Sequence, residues 1–274
     1  MSIKNKIGFM QGRLVNSEKK NVIQYFPNKN WKKEVKLAKK NKFKLIEWTI
    51  NYENIKKNPF YLGSKTLKKT FNFLKENKIN VNSVTCDFIM QKPFFLKKNK
   101  KTIEDLKKII INSQPYGVKY FIVPLVDQSS LKKNLKYEKK IIESLINLKK
   151  ILNKNSKILF ELDCSYLKVI KFITKFHSKK FGINYDTGNS ASLGFSFVDE
   201  KKYFKFVYNI HIKDRKKYGS TVRLGYGDFN FKYFFKYLMK KKYNGNLILQ
   251  TARSKKLNHE EELNINRKFI YNYL

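Results

Sequence analysis

The chain has 274 residues, a length that suits one eight-fold α/β barrel better than two small domains. Hydrophobic residues make up 42% of it, enough for a large core, and 23 Phe with 17 Tyr make that core aromatic-rich. A formal net charge of +39 raises a nucleic-acid or membrane surface first, yet only Arg13, Arg215, Arg223, Arg253 and Arg267 are arginines and the other basic residues are Lys spread over every helix and loop; phosphate and base recognition favour the planar Arg fork, so the excess reads as solvated helix faces rather than a specific nucleic-acid footprint.

In chain order, an apolar run over 7–10 predicts the first strand, followed by Gln11-Gly12-Arg13-Leu14. A helix is expected over 31–41, with Val35, Leu37 and Ala38 on one side. The second strand, 44–48, runs into Glu47-Trp48-Thr49. A helix over 64–77 carries Leu67, Phe71 and Leu74 at helical spacing, with Ser64 as its cap. The third strand, 79–84, ends near Thr85-Cys86-Asp87, and a helix over 102–113 starts at a Thr102 cap. The fourth strand, 120–123, is closed by Pro124, and a long helix over 137–153 lines up Ile141, Leu145 and Leu148. The fifth strand, 158–160, ends at Glu161 and precedes a helix over 166–176. The sixth, 182–185, ends at Asp186; a short helix near 200–206 leads to the seventh, 207–210, which ends at His211. A helix over 231–240, an eighth strand over 247–249 ending at Gln250, and a last helix over 260–271 complete the order.

Strands buried on both faces read as near-continuous apolar runs, and alternation with helices implies a parallel sheet with right-handed crossovers. Eight repeats, with no Gly-rich phosphate loop after the first strand, favour closure over an open doubly wound sheet. The expected fold is therefore α/β: a (β/α)8 TIM barrel forming a single domain over 1–274. The two cysteines are too few for a disulfide framework and suit a reducing compartment. Residues 1–6 show no apolar leader, and no stretch approaches the length of a membrane span. The expectation is a cytoplasmic protein without a membrane partner, with a homo-oligomer left open.

In a closed barrel all strand C-termini share one mouth, where catalytic groups sit. Here those ends carry Gln11 and Arg13, Glu47, Asp87, Glu161, Asp186, His211 with Lys213 and Asp214, and Gln250 with Arg253. Glu161, Asp186, His211 and Gln250 end four consecutive strands, and two carboxylates, an imidazole and an amide oxygen suit one divalent Mn, Mg, Co or Zn ion. A single strand-end Asp is more often a helix cap, and a single His a core residue; four neighbouring ends together favour a site. His177 and His259 read as surface residues, and Cys86 and Cys164 lack a spare base to make either a nucleophile.

These residues resemble the xylose-isomerase-like barrel superfamily, which holds sugar and sugar-phosphate isomerases and epimerases and the apurinic endonuclease relatives. The resemblance rests on Met10-Gln11-Gly12-Arg13-Leu14, Ile46-Glu47-Trp48, Phe160-Glu161, Tyr185-Asp186-Thr187-Gly188-Asn189, His211-Ile212-Lys213-Asp214-Arg215, Leu224-Gly225-Tyr226-Gly227-Asp228 and Leu249-Gln250-Thr251-Ala252-Arg253. It implies a metal held by Glu161, Asp186 and His211, with Glu161 and His211 as the catalytic residues. Glu161 would act as the base in an enediol route, with a hydride shift as the other possibility. The family has a second Glu where this chain has Gln250, which can offer an oxygen to a metal but no proton. Gln11, Arg13, Glu47, Lys213, Arg223 and Arg253 remain for contacts to a small-molecule sugar substrate, or Arg13 and Arg253 pair with Glu47 or Asp87 in a ring across the mouth. The alternative is a relative without isomerase activity, a lyase or sugar-binding barrel. An apurinic-endonuclease-like activity is disfavoured, because that branch needs several more histidines than the three present.

Overall fold

In the computed structural model, which describes residues 3–16, 24–253 and 258–274, eight short parallel strands close into a barrel. They are β1 (Ile7–Met10), β2 (Ile46–Thr49), β3 (Ser83–Thr85), β4 (Tyr120–Leu125), β5 (Lys157–Leu162), β6 (Phe181–Asp186), β7 (Val207–Ile212) and β8 (Asn246–Leu249). Each pairs with its neighbour in sequence, and β8 returns to β1 with Ile7 opposite Leu247. The longer helices are α1 (Trp31–Lys40), α2 (Ser64–Glu76), α3 (Lys101–Ser113), α4 (Glu138–Ile146), α5 (Tyr166–Thr174), α6 (Thr187–Leu193), α7 (Phe231–Lys240) and α8 (His259–Tyr271), of which α6 lies at the mouth of the barrel.

The strands and helices fall where the apolar pattern puts them, with local differences. β3 begins only at Ser83, because Lys78 turns through a left-handed backbone and Asn80 makes a lone bridge to Leu45. The helix expected over 137–153 is α only from Glu138 to Ile146 and tightens into a 3-10 turn over Asn147–Lys150. The short helix near 200–206 is a 3-10 segment, Lys201–Phe206, and α6 before it was not anticipated. Neither Ser64 nor Thr102 caps its helix. Ser64 is the first residue of α2 after Gly63, and Thr102 is buried within the first turn of α3.

Packing follows the two-residue period of each strand. Phe121, Val123 and Leu125 join the main core between strands and helices, while Met10, Leu45 and Ile248 form a separate small cluster within the barrel. Aromatic rings dominate the outer layer. Trp48 stacks on Phe60 at 4.9 Å and meets Trp31 edge-on at 5.5 Å, and Tyr185 lies against Phe234 at 5.8 Å. At the N-terminal end of the barrel, Asn82 and Asn246 exchange two side-chain hydrogen bonds, at 3.2 and 2.9 Å. These two asparagines are thereby paired at the bottom, and the polar residues of the site gather at the top.

Gly8 sets how closely β1 and β2 approach. A Cβ there would lie 2.7 Å from the Leu45 carbonyl oxygen and 2.8 Å from Leu45 Cγ. Gly8→Ala is expected to destabilise the protein by about 1–3 kcal/mol through overpacking, read as a lower urea midpoint at constant slope. An unchanged midpoint would mean that Leu45 yields freely.

Candidate functional site

The sequence alternation Asn184-x-Asp186 and Asn209-x-His211 aims four polar side chains into the top of the barrel. A register shift between Ile183 and Asn184 sets Asn184 opposite Asn209 and Asp186 opposite His211, a local irregularity of the kind that re-aims side chains near sites. His211 is fully buried. Its Nε2 lies 2.6 Å from Glu47 Oε1, and its Nδ1 lies 3.0 Å from Glu161 Oε2. Burial alone would discharge the ring, but Glu47 and then Glu161 outweigh it and push its pKa up to about 10. Asn209 Nδ2 donates to Glu47 Oε2 (2.9 Å) and to Asn184 Oδ1 (2.7 Å), and Asn184 Nδ2 donates to Glu161 Oε2 (2.8 Å).

Asp186 caps α6: its Oδ1 accepts from the backbone N–H of Gly188 (2.7 Å) and Asn189 (3.0 Å). Its Oδ2 faces Lys213 Nζ at 2.9 Å. Although burial works the other way, Lys213 and His211 hold the Asp186 carboxyl below the usual range. Lys213 reaches it because Gly188 has no side chain; a Cβ there would sit 2.7 Å from Lys213 Cδ. Thr187 Oγ1 accepts from the Lys213 N–H (2.9 Å) and donates to the Lys213 carbonyl (2.5 Å). The Asp-Thr-Gly and His-x-Lys stretches are thus stitched to one another. Asp214 then accepts backbone N–H groups from Arg215, Gly225, Gly227 and Phe229, which ties down the following loop.

Ligand atoms of Glu161, Asp186 and His211 all lie within 4.8 Å of one another, so this buried group could hold a metal ion. Two observations fit such an ion. Glu47 takes the far ring nitrogen of His211, the support that metal-binding histidines usually have. The Oε1 atom of Gln250 is buried with no hydrogen-bond partner among the described residues. The donor set of oxygens and one nitrogen matches a hard or borderline divalent ion.

Beside this group a cavity of about 390 Å³ opens among the strand ends, a size that suits a small ligand. Of the residues expected at the mouth, Arg13, Asp87, Glu161, Lys213 and Gln250 line it. Glu47 does not, because it is fully buried beneath His211. Gln11 is also buried, its Oε1 accepting from the Thr49 N–H at 3.1 Å. Arg223 lies elsewhere, its fork gripping Glu262 at 2.9 and 2.6 Å. Arg253 donates to the Val15 carbonyl at 2.9 Å and sits behind Arg13. Burial, with Arg253 close by, pulls Arg13 down to about 9, while Glu34 and Asp87 oppose the shift. The acids beside Arg13 are therefore Glu34 and Asp87 rather than Glu47.

His177 is exposed, whereas His259 is half-buried with Nε2 3.3 Å from Arg253 Nη1. Both thiols are buried, which pushes Cys164 up to about 12 and Cys86 well above its ordinary value, the opposite of an activated nucleophile. The inward asparagines 184 and 209, Glu34 on α1 and Gln24 were missed from sequence. The two asparagines were open to detection, since each lies two residues before an expected ligand on the same strand face.

The sequence profile of the xylose isomerase-like TIM barrel family matches residues 35–273. No curated protein matches the chain. Among solved structures, the chain is similar to the IOLI protein with a bound zinc atom, at 17% identity and TM-score 0.75 over 98% of this chain and 99% of that one. It is also similar to a xylose isomerase-like TIM barrel protein from Mycobacterium smegmatis in complex with magnesium (16%, TM-score 0.73, 98% and 96%). A third likeness is to the D-allulose 3-epimerase from Methylomonas sp. (14%, TM-score 0.71, 98% of each chain). At these identities the likeness is one of fold.

Behind Asp186, Glu200 accepts hydrogen bonds from Tyr185 (2.7 Å), Ser190 (2.5 Å) and Tyr203 (3.3 Å). Burial pushes its carboxyl up to about 7 despite these three donors. Between pH 4.5 and 7 the folded chain then keeps a proton that the unfolded chain has lost, so stability falls as pH rises through this window. The shift corresponds to roughly 3 kcal/mol. In thermal melts across pH 4.5–7, Glu200→Gln should lose less stability than wild type over the same range; parallel curves would count against this assignment.

Proposed function

The chain belongs to the xylose isomerase-like TIM barrel family, and we propose that within it the protein is a metal-dependent isomerase or epimerase of a small sugar, sugar phosphate or sugar acid. The observation that carries this reading is the convergence of Glu161, Asp186 and His211 beside a polar cavity that Glu161 itself lines. In this reading Glu161, Asp186 and His211 hold one divalent ion, with the Gln250 oxygen as a fourth donor. When bound, the ion would supply Lewis-acid polarisation of a carbonyl and its neighbouring hydroxyl.

The protein groups have separate tasks. Glu161 takes the proton from the carbon beside the carbonyl. Asn184 and Asn189 donate to its two oxygens, at 2.8 and 3.2 Å, and fix the carboxylate plane. Glu47 keeps the His211 ring in one orientation. Lys213 and Arg13, both on the cavity wall, supply positive charge for substrate oxygens. The substrate is the partner proposed; the dispersed Lys charge gives no support to a specific nucleic-acid ligand. No helix among the described residues is long and apolar enough to cross a membrane.

Two measurements test the reading. Chelator-treated protein should melt at higher temperature when Mn²⁺, Mg²⁺, Co²⁺ or Zn²⁺ is added, by about 2.7 kcal/mol at a hundredfold excess over Kd, and Asp186→Asn should abolish the gain. A wild-type melting curve indifferent to all four ions would remove the metal from the proposal. In D₂O, wild type should place deuterium beside the carbonyl of a ketose, and Glu161→Gln should lower that rate by about 10²-fold or more. Equal exchange by the two proteins would exclude Glu161 as the base.

A further inference from the structure

Of the carboxyls in the metal group, Asp186 is held by two backbone N–H groups and Lys213 and does not line the cavity, so Glu161 alone can trade a proton with carbon; the Gln250 amide has none to give. A second carboxyl nevertheless stands in the same cavity. Gln250 Nε2 donates to Gln24 Oε1 at 2.6 Å, and Gln24 Nε2 donates to Asp87 Oδ2 at 2.5 Å. Thr85 Oγ1 donates to Asp87 Oδ1 at 3.3 Å. Asp87 opens the helical turn Asp87–Gln91 directly after β3, and it lines the cavity together with Gln24, Gln250 and Glu161. Two amides in series thus run from the position that lacks a carboxylate to a carboxyl that is present.

We propose that Asp87, held by Gln24 and Gln250, is the second acid–base group of this site and shares one substrate with Glu161. The inference rests on the proton-transfer reading above. The step balances as follows. The C–H bond beside the carbonyl breaks toward the Glu161 carboxylate. Its electron pair enters a new C=C bond, and the carbonyl π pair moves to oxygen. When the carbonyl re-forms, the C=C pair takes the proton of the Asp87 carboxyl on the other face. Glu161 leaves protonated and Asp87 ionised, and exchange with water resets both. The product is the epimer at that carbon.

The surroundings agree with a proton held near neutrality. Burial pushes the Asp87 carboxyl up to about 7; the Gln24 hydrogen bond pulls it down, and the Glu161 charge raises it further. The charged groups around the shared cavity are Arg13, Asp127, Glu161, Asp163, Lys213 and Arg215, with His211 behind Glu161. Gln24 is the lever that acts on Asp87 without removing it.

The experiment incubates the full-length protein in D₂O with Mn²⁺ and four ketoses, D-allulose, D-fructose, D-tagatose and D-sorbose, which form two C3-epimer pairs. Wild type should both exchange the C3 hydrogen and form the epimer. Asp87→Asn should keep exchange within about tenfold for one member of each pair, the epimer whose C3 hydrogen faces Glu161, while epimer formation falls about 10²-fold or more, and Glu161→Gln, which also takes a ligand from the metal, should lose both. Gln24→Leu should move the alkaline limb of epimer formation to higher pH, a shift that a merely structural disturbance would not produce. Epimer formation at the wild-type rate in Asp87→Asn overturns the assignment of Asp87 and leaves Glu161 standing. So does an unmoved alkaline limb in Gln24→Leu, including the case where Asp87→Asn loses exchange and epimer formation together. Absence of exchange by wild type on all four sugars overturns the proton-transfer reading and this inference with it.

Discussion

Everything at the mouth of this barrel depends on one buried arrangement, the His211 ring clasped between Glu47 and Glu161. Taking such charges out of water costs several kcal/mol per ion unless each finds a close partner. Here two bridges run side by side between the same pair of carboxylates, one through the His211 ring and the other through the Asn209 and Asn184 amides. Glu47 comes from β2, His211 from β7 and Glu161 from β5, so the arrangement exists only when the barrel has closed. The polar group therefore specifies the closed register while the apolar layers outside it supply most of the burial.

That division explains why the fold was more legible in the sequence than the site. Strand runs such as Ile158-Leu159-Phe160 and Leu247-Ile248-Leu249 are short, apolar and separated by amphipathic helices, so element type and order follow from local periodicity. The ligand candidates were legible for a similar reason, since Glu161, Asp186 and His211 each terminate such a run. Direction beyond the strand end was not legible. Glu47 looked like a residue for substrate, yet its depth in the barrel turns it toward His211. Arg223 lies in the loop that follows β7, but the path of that loop delivers it to Glu262 on α8. Gln24 lines the cavity from the β1–α1 connection, a stretch in which no period of the sequence marks it.

The sequence resemblance drew on the joint presence of Asp-Thr-Gly-Asn and His-x-Lys-Asp, and the structure gives that pairing a physical basis. Thr187 takes both backbone groups of Lys213, Gly188 makes room for the Lys213 stem, and the ammonium then meets Asp186. A side chain at Gly188 would move Lys213, and a changed Lys213 would leave Asp186 with a buried, uncompensated oxygen. The two stretches behave as one unit although they lie on neighbouring strands.

Just past that unit, Asp214 gathers four backbone N–H groups from a loop that would otherwise leave them to water. The loop carries no regular element beyond a two-stranded ribbon, Asp214–Arg215 with Thr221–Val222, and yet Arg215 and Thr221 form part of the cavity wall. A mobile loop would lose its conformational freedom at each encounter with a ligand, a loss that weakens binding. With Asp214 at its centre that ordering entropy is lost once, when the chain folds, and not again each time a ligand enters.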